Sequence, residues 1–205
     1  MSNSSSNYRQ LRTLSLRATV ACTFVLTAAY LQGQALVAAL TPVLLATLSG
    51  VASDFRILSL ALVQEGPDTA LEARAMLEHV IILGGRAIVP NGTTGYAVTT
   101  TAGTVLQPLM AAAIFVLAWP GRWMELALRI ALTIPLLLQA LLADAPMYLA
   151  GSLWDMQIRI HEPNRFSPLV WWMGFLANGG RIVLGLVAAS LAVALSAWIL
   201  RKRPD

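Results

Sequence analysis

Residues 18–53 carry no charged side chain, an unbroken run of 36 positions. Long uncharged runs at 87–121, 130–143 and 182–200 are among those that follow. About 20 apolar residues in a helix match the ~30 Å hydrocarbon core of a bilayer. Runs of this kind restrict a chain to membrane-spanning helices or to a very large buried core. This chain is too small for the second. Of its 205 residues 57% are hydrophobic and 12% charged, about half the ~25% of a soluble domain. Mean hydropathy is +0.68. There are too few charges to cover a soluble surface, and the disordered, collagen-like and disulfide-stapled classes are excluded.

The first run is too long for one span and too short for two with a turn near Gln32-Gly33-Gln34. We read one transmembrane helix over about 18–40, a break or bend at Pro42, and an interfacial helix over 43–51. A secretory signal peptide is the competing reading: Arg9, Arg12 and Arg17 form a basic start, but Gly33-Gln34-Ala35 is a poor cleavage site and the apolar run continues past it. The second run opens with the turn chemistry of Pro90-Asn91-Gly92-Thr93-Thr94-Gly95, so span two is placed at about 103–119. Span three follows Arg129, contains Pro135 and ends near Met147. Span four, 182–200, stops at Arg201-Lys202-Arg203. The expected fold is membrane α-helical, with four transmembrane helices and a small extracytoplasmic domain containing a β-hairpin. Its segments are a tail (1–17), span one with the interfacial helix (18–53), a β-rich piece (54–101), spans two and three (102–147), a loop (148–180), span four (181–200) and a basic tail (201–205).

Fourteen basic residues against ten acidic give +4 and a pI near 9.8. A soluble domain with that balance suggests nucleic acid; here the charges sort by side. Both termini and the 120–129 turn hold eight basic residues and two acids, and the rest of the chain holds six and eight. The positive-inside rule then puts both termini in the cytoplasm of a bacterial inner membrane, with no nucleic-acid partner. Trp119, Trp123, Trp171, Trp172 and Trp198 fall near the expected interfaces. Cys22 is the one cysteine, so no internal disulfide forms, and it reads as a small apolar helix residue.

Residues 54–101 read as a β-hairpin. Leu71, Ala73, Ala75 and Leu77 alternate with Glu72, Arg74, Met76 and Glu78, and Glu65-Gly66-Pro67-Asp68 supplies a turn. An amphipathic helix over 69–79, built from good helix formers, competes. Val80 to Leu83 is expected to continue the strand, Gly84-Gly85 to turn it and 96–101 to add another. About 45 residues is little material for an independent core, so this piece should rest on the membrane surface, the other loop or a partner. In the second loop we expect an irregular polar stretch over 154–162 and an apolar interfacial segment over 166–176. The Asn91-Gly92-Thr93 glycosylation triplet is read as a chance match.

No phosphate loop, GxSxG elbow, HExxH or CxxC is present, and no cofactor or metal is expected. Asp144 and Arg181 are charges at membrane depth, where charge is costly and often functional. The topology gives them similar depth, so a salt bridge between spans three and four is expected, with a substrate or relay role as the alternative. His161 and Glu162, beside Asp155 and Arg159, have metal-binding or acid–base chemistry but read as a solvated loop, as His79 reads as a surface residue. Gln107 and Gln139 can bond between helices. Asp144, Arg181, His161 and Glu162 are the candidate substrate- or partner-binding residues, and no catalytic residue is assigned.

The layout carries a resemblance. Leu40-Thr41-Pro42-Val43-Leu44-Leu45 precedes the outer strands, and Gly84-Gly85-Arg86 turns them. Val105-Leu106-Gln107-Pro108-Leu109 opens span two and Ala118-Trp119-Pro120-Gly121-Arg122 closes it. Pro135-Leu136-Leu137-Leu138-Gln139 and Ala143-Asp144 lie in span three. Over about 18–200 this resembles the small membrane proteins that accompany exosortases, the exosortase H type in particular. The resemblance implies a non-catalytic partner of a membrane enzyme that processes C-terminally tagged surface proteins. Exosortases themselves use a Cys with Arg and His in membrane helices, and Cys22 alone, early in span one, does not match that set. The expected function is thus an accessory subunit of a membrane assembly, with the bilayer and a membrane protein as partners. The alternatives are a small transporter or channel component using Asp144 and Arg181, and a membrane-embedded hydrolase using the 155–162 segment.

Overall fold

The apolar runs become helices, and the alternating segment between the first two becomes a sheet. The structure, a computed structural model, describes residues 3–90 and 95–201. The order is α1 (Asn3–Val51), β1 (Phe55–Glu65), β2 (Asp68–Leu77), β3 (Ile81–Leu83), β4 (Arg86–Ile88), β5 (Gly95–Thr101), α2 (Ala102–Val105), α3 (Gln107–Ala118), α4 (Trp123–His161), α5 (Pro168–Phe175) and α6 (Arg181–Arg201). Three helical stretches are long and apolar enough to cross a membrane: Thr13–Val51, Trp123–His161 and Pro168–Arg201. The helix at the place of span two, α3, has 12 residues, about 18 Å. Pro108 has no N–H to donate to the carbonyl four residues back, and the chain breaks into α2 and α3 at Leu106.

The chain divides into two units, 1–32 with 106–140 and 182–205, and 33–105 with 141–181. The first is helical. Its core joins Ala112 and Val116 of α3, Leu137 of α4, and Ala188 and Ala189 of α6, with Phe115 and Leu126 packed on them. Small residues let backbones approach: a Cβ on Gly185 would overlap the backbone of Pro108. Arg129, expected as a cytoplasmic charge, is 5% exposed. It donates to the carbonyls of Trp119 and Pro120 at 3.3 and 3.1 Å and to Glu125 Oε2 at 3.0 Å, tying the α3–α4 turn to α4.

The second unit holds both sheets. β1, β2 and β5 form an antiparallel sheet in that order, and β3 pairs with β4. The β1–β2 hairpin closes at Glu65↔Asp68, with Gly66 at φ +61°, a conformation natural to glycine. Leu71, Ala73, Ala75 and Leu77 are buried, and the helix alternative over 69–79 is overturned. Strand pairing on both sides satisfies a backbone that a lone helix would satisfy internally, and it buries the apolar row. The β1–β2 register slips between Ile57 and Ser59. Residues 80–83 do not continue β2. Glu78 N–H bonds Asp54 O instead, and the chain restarts as β3.

Two further expectations are corrected. Pro42 does not end or divide the first helix, which runs to Val51 with the proline inside. Val37, Leu44 and Leu48, on either side of it, are at most 2% exposed. At about 1.5–3 kcal/mol each, their packing outweighs the ~3 kcal/mol of an internal proline. The stretch 154–162 is not an irregular loop, because α4 continues to His161. Its inner face carries Leu149, Leu153, Gln157 and Ile158, all buried. Its outer face carries the i,i+4 pair Asp155–Arg159 at 2.7 Å, and Trp154 sits edge-on to Phe55 of β1 at 5.8 Å. The 54–101 strands thus share a unit with the 141–181 segment and the second half of α1, where Gln34 Nε2 donates to Thr69 Oγ1 at 2.7 Å.

Candidate functional site

Asp144 lies on α4 and Arg181 opens α6. Between them α5 starts on Ser167, whose hydroxyl accepts from Val170 N–H, with Pro168 in the first turn. The chain then passes a π-type turn, Leu176–Gly180, in which Gly179 takes φ +98°. Trp172 Nε1 donates to Ala143 O at 2.9 Å, one residue before Asp144. Gly151 admits α5 against α4, since a Cβ there would sit 2.7 Å from that of Met173.

This path brings the two expected charges together. Arg181 Nε lies 3.1 Å from Asp144 Oδ1, with the side chains 4% and 0% exposed. The N–H is not aimed along that vector: neither carboxylate oxygen of Asp144 has a hydrogen bond from a described residue. The two terminal guanidinium nitrogens both donate to Thr100 Oγ1 of β5 at 3.2 Å. The guanidinium carbon lies 4.4 Å from the ring centroid of Tyr148, one turn after Asp144 on the same face, in cation–π contact.

The threonines close a chain of donors. Thr104 Oγ1 donates to Thr101 O at 2.8 Å, so in its 3.1 Å contact with Thr100 Oγ1 it is Thr100 that donates. Both lone pairs of Thr100 are then free for Arg181. Arginine is thus fixed by its edge, its face and its neighbouring charge, whereas the carboxylate is held by proximity alone.

His161 and Glu162 stand at the end of α4 and do not join this pair. His161 Nδ1 lies 3.0 Å from Gln157 O. Glu162 Oε2 accepts from Gly84 N–H at 3.1 Å and from Arg165 Nη1 at 3.3 Å, and Arg165 also donates to Ile82 O at 3.3 Å. The effect is to clamp the β3–β4 hairpin to α4. His79 is exposed. Gln139 is exposed as well, and Gln107 is half-buried on α3. The Asn91-Gly92-Thr93 triplet lies outside the described residues. Among the described residues no three His, Cys, Asp or Glu gather as a metal set.

Sequence reasoning missed Thr100, Tyr148 and Gln157. Tyr148 had a signal, four residues after Asp144 on a helix. Thr100 had none, because a threonine in a strand is ordinary. Gln157 is 1% exposed with its amide nitrogen unbonded among the described residues. Comparison with models of known families, with curated proteins and with solved structures finds no match for this chain.

Proposed function

We propose that the protein is a non-catalytic, integral accessory subunit of a bacterial membrane assembly. The observation that carries this reading is how the polar groups are engaged. Asp144 faces Arg181, Arg181 is bound to Thr100, Asp155 to Arg159, and Glu162 to Gly84 and Arg165. These contacts hold helices and hairpins in place. Much of the remaining helical surface is apolar: α1 is the least buried of the three long helices, with Phe24, Tyr30 and Leu31 exposed, suited to lipid or a partner helix.

In this proposal the chain crosses the inner membrane four times, α3 with α2 making the short crossing, and both termini face the cytoplasm. Support comes from the charge distribution and from exposed Trp119, Trp123, Trp171 and Trp198 at expected interfaces. The proposed partner is a membrane enzyme of the exosortase type, on the resemblance of layout. The test is a mild-detergent pull-down of the tagged chain from native membranes, read by mass spectrometry. A stoichiometric membrane enzyme is the expected companion; recovery of the chain alone overturns the reading.

One observation favours a second reading, a transport or channel component: the buried Asp144 carboxylate without a hydrogen bond, since groups left open at depth are used in relays. Flux through proteoliposomes that is lost in Asp144→Asn while the protein stays folded would select it. No observation favours the hydrolase.

A further inference from the structure

The helical unit carries two hollows that meet at Trp119. One, about 540 Å³, lies between α1 and the α3–α4 turn, with Arg17, Arg122 and Trp123 at its mouth by the turn and Val20 and Phe24 one and two turns further along α1. The other, about 740 Å³, follows α3 from Gln107 to Pro120, between Leu14 and Ala18 of α1 and Ile182 and Leu186 of α6. It is walled almost wholly by carbon and runs the ~18 Å length of α3.

The mouth is cationic for a structural reason. Glu125, the one acid near it among the described residues, is spent on Arg129 at 3.0 Å. Arg17 and Arg122 are exposed, and neither guanidinium bonds a described residue. The two indoles are 44% and 86% exposed, as suits rings at headgroup level.

We infer that this face binds one diacyl phospholipid with an anionic headgroup, its phosphate between Arg17 and Arg122 and one acyl chain in each hollow. Two apolar troughs meeting at one cationic end match two chains on one headgroup. A partner helix, ~10 Å across, cannot follow both sides of Trp119, and a free phosphate has no use for either trough. The inference rests on the membrane-spanning reading.

The test is native mass spectrometry of the full chain, released from bilayers of equimolar phosphatidylglycerol and phosphatidylcholine. The wild type should keep one phosphatidylglycerol in preference to phosphatidylcholine. Replacing both arginines (Arg17→Gln, Arg122→Gln) should cut that preference about thirtyfold, some fivefold for each charge near the surface. Both side chains are exposed, so folding should survive, as helicity by circular dichroism will check. Ala111→Leu, which fills the longer trough, should lower retention of both lipids. Equal retention of the two lipids by the wild type, unchanged preference in the double variant, or a second copy of the chain in place of lipid overturns the site. Alkaline carbonate extraction separates the causes. A chain that stays in the membrane yet keeps no phosphatidylglycerol refutes the lipid site alone, whereas one that leaves refutes the spanning reading beneath it.

Discussion

At the scale of single residues, the buried pair is asymmetric, and that asymmetry sets what substitutions do. Arg181 keeps Thr100 and Tyr148 when Asp144 is changed, whereas Asp144 keeps nothing when Arg181 is changed. Removing one partner of a buried pair costs about 3–5 kcal/mol, much of it from the charge left behind. Arg181→Gln should therefore lose an amount near the top of that range. Asp144→Asn should lose less, and the double variant should recover part of the difference. Denaturant unfolding in micelles, arranged as a double-mutant cycle, measures all three; equal single losses would contradict the account. Gly84 makes a second residue-scale case. It holds φ +57°, and a Cβ there would overlap His161 O, so Gly84→Ala should release the β3–β4 hairpin from α4. Faster proteolysis within 81–88, with the β1–β2 hairpin still protected, is the expected result. Asp144 was legible because it interrupts an apolar run, and Arg181 because it precedes one. That Thr100 binds the arginine was not, because nothing local distinguishes it from Thr99 or Thr101.

Among the elements, legibility followed period. The alternation in β2 could be read because its apolar residues sit on one side of a two-residue repeat, and burial of Leu71, Ala73, Ala75 and Leu77 follows from it. Its rivalry with a helix arose because Ala, Leu, Glu and Arg are helix formers, and only the pairing with β1 and β5 decided it. The end of α4 failed for the opposite reason. Charged Asp155, Arg159, His161 and Glu162 hid a helical row, Leu149, Leu153, Gln157, in which a glutamine takes an apolar place. The packing of α3 on α6 gives a prediction at this scale. Gly185→Leu puts a side chain where Pro108 backbone lies and should destabilise by about 1–3 kcal/mol, the usual range for overpacking. Val183→Ala, on the exposed face of the same helix, should be near neutral in the same unfolding assay.

For the whole molecule, the proposed four crossings turn on α3. If α3 with α2 crosses, Glu65 and Arg122 lie on opposite sides of the membrane; if it does not, they share a side. In a Cys22→Ala background, Glu65→Cys should react with an impermeant maleimide applied from outside, together with Arg165→Cys. Arg122→Cys should react only after the membrane is opened. Labelling of Glu65→Cys and Arg122→Cys from the same side would reduce the count to three. The Gln107–Ala118 helix is short for a ~30 Å hydrocarbon core. A crossing there implies local thinning or help from α2, of the kind short spans use at modest cost.

The sequence alone determined that the chain is built on long apolar helices, roughly where they lie, and the turn of the first hairpin, because each follows from local chemistry. A run without charge has few places to go, and alternation or a Gly-Pro turn acts over a few residues. Tertiary structure decided the rest. Pro42 could remain inside a helix only because Val37, Leu44 and Leu48 pack on either side of it. Arg129 left the surface because the open carbonyls at the end of α3 lay within its reach. The 54–101 strands gained a core because residues 33–51 and 141–181, distant along the chain, supply what about 45 residues lack. Each of these outcomes is a balance between a local preference worth a few kcal/mol and burial against a segment far away, and such burial is invisible until the chain is folded.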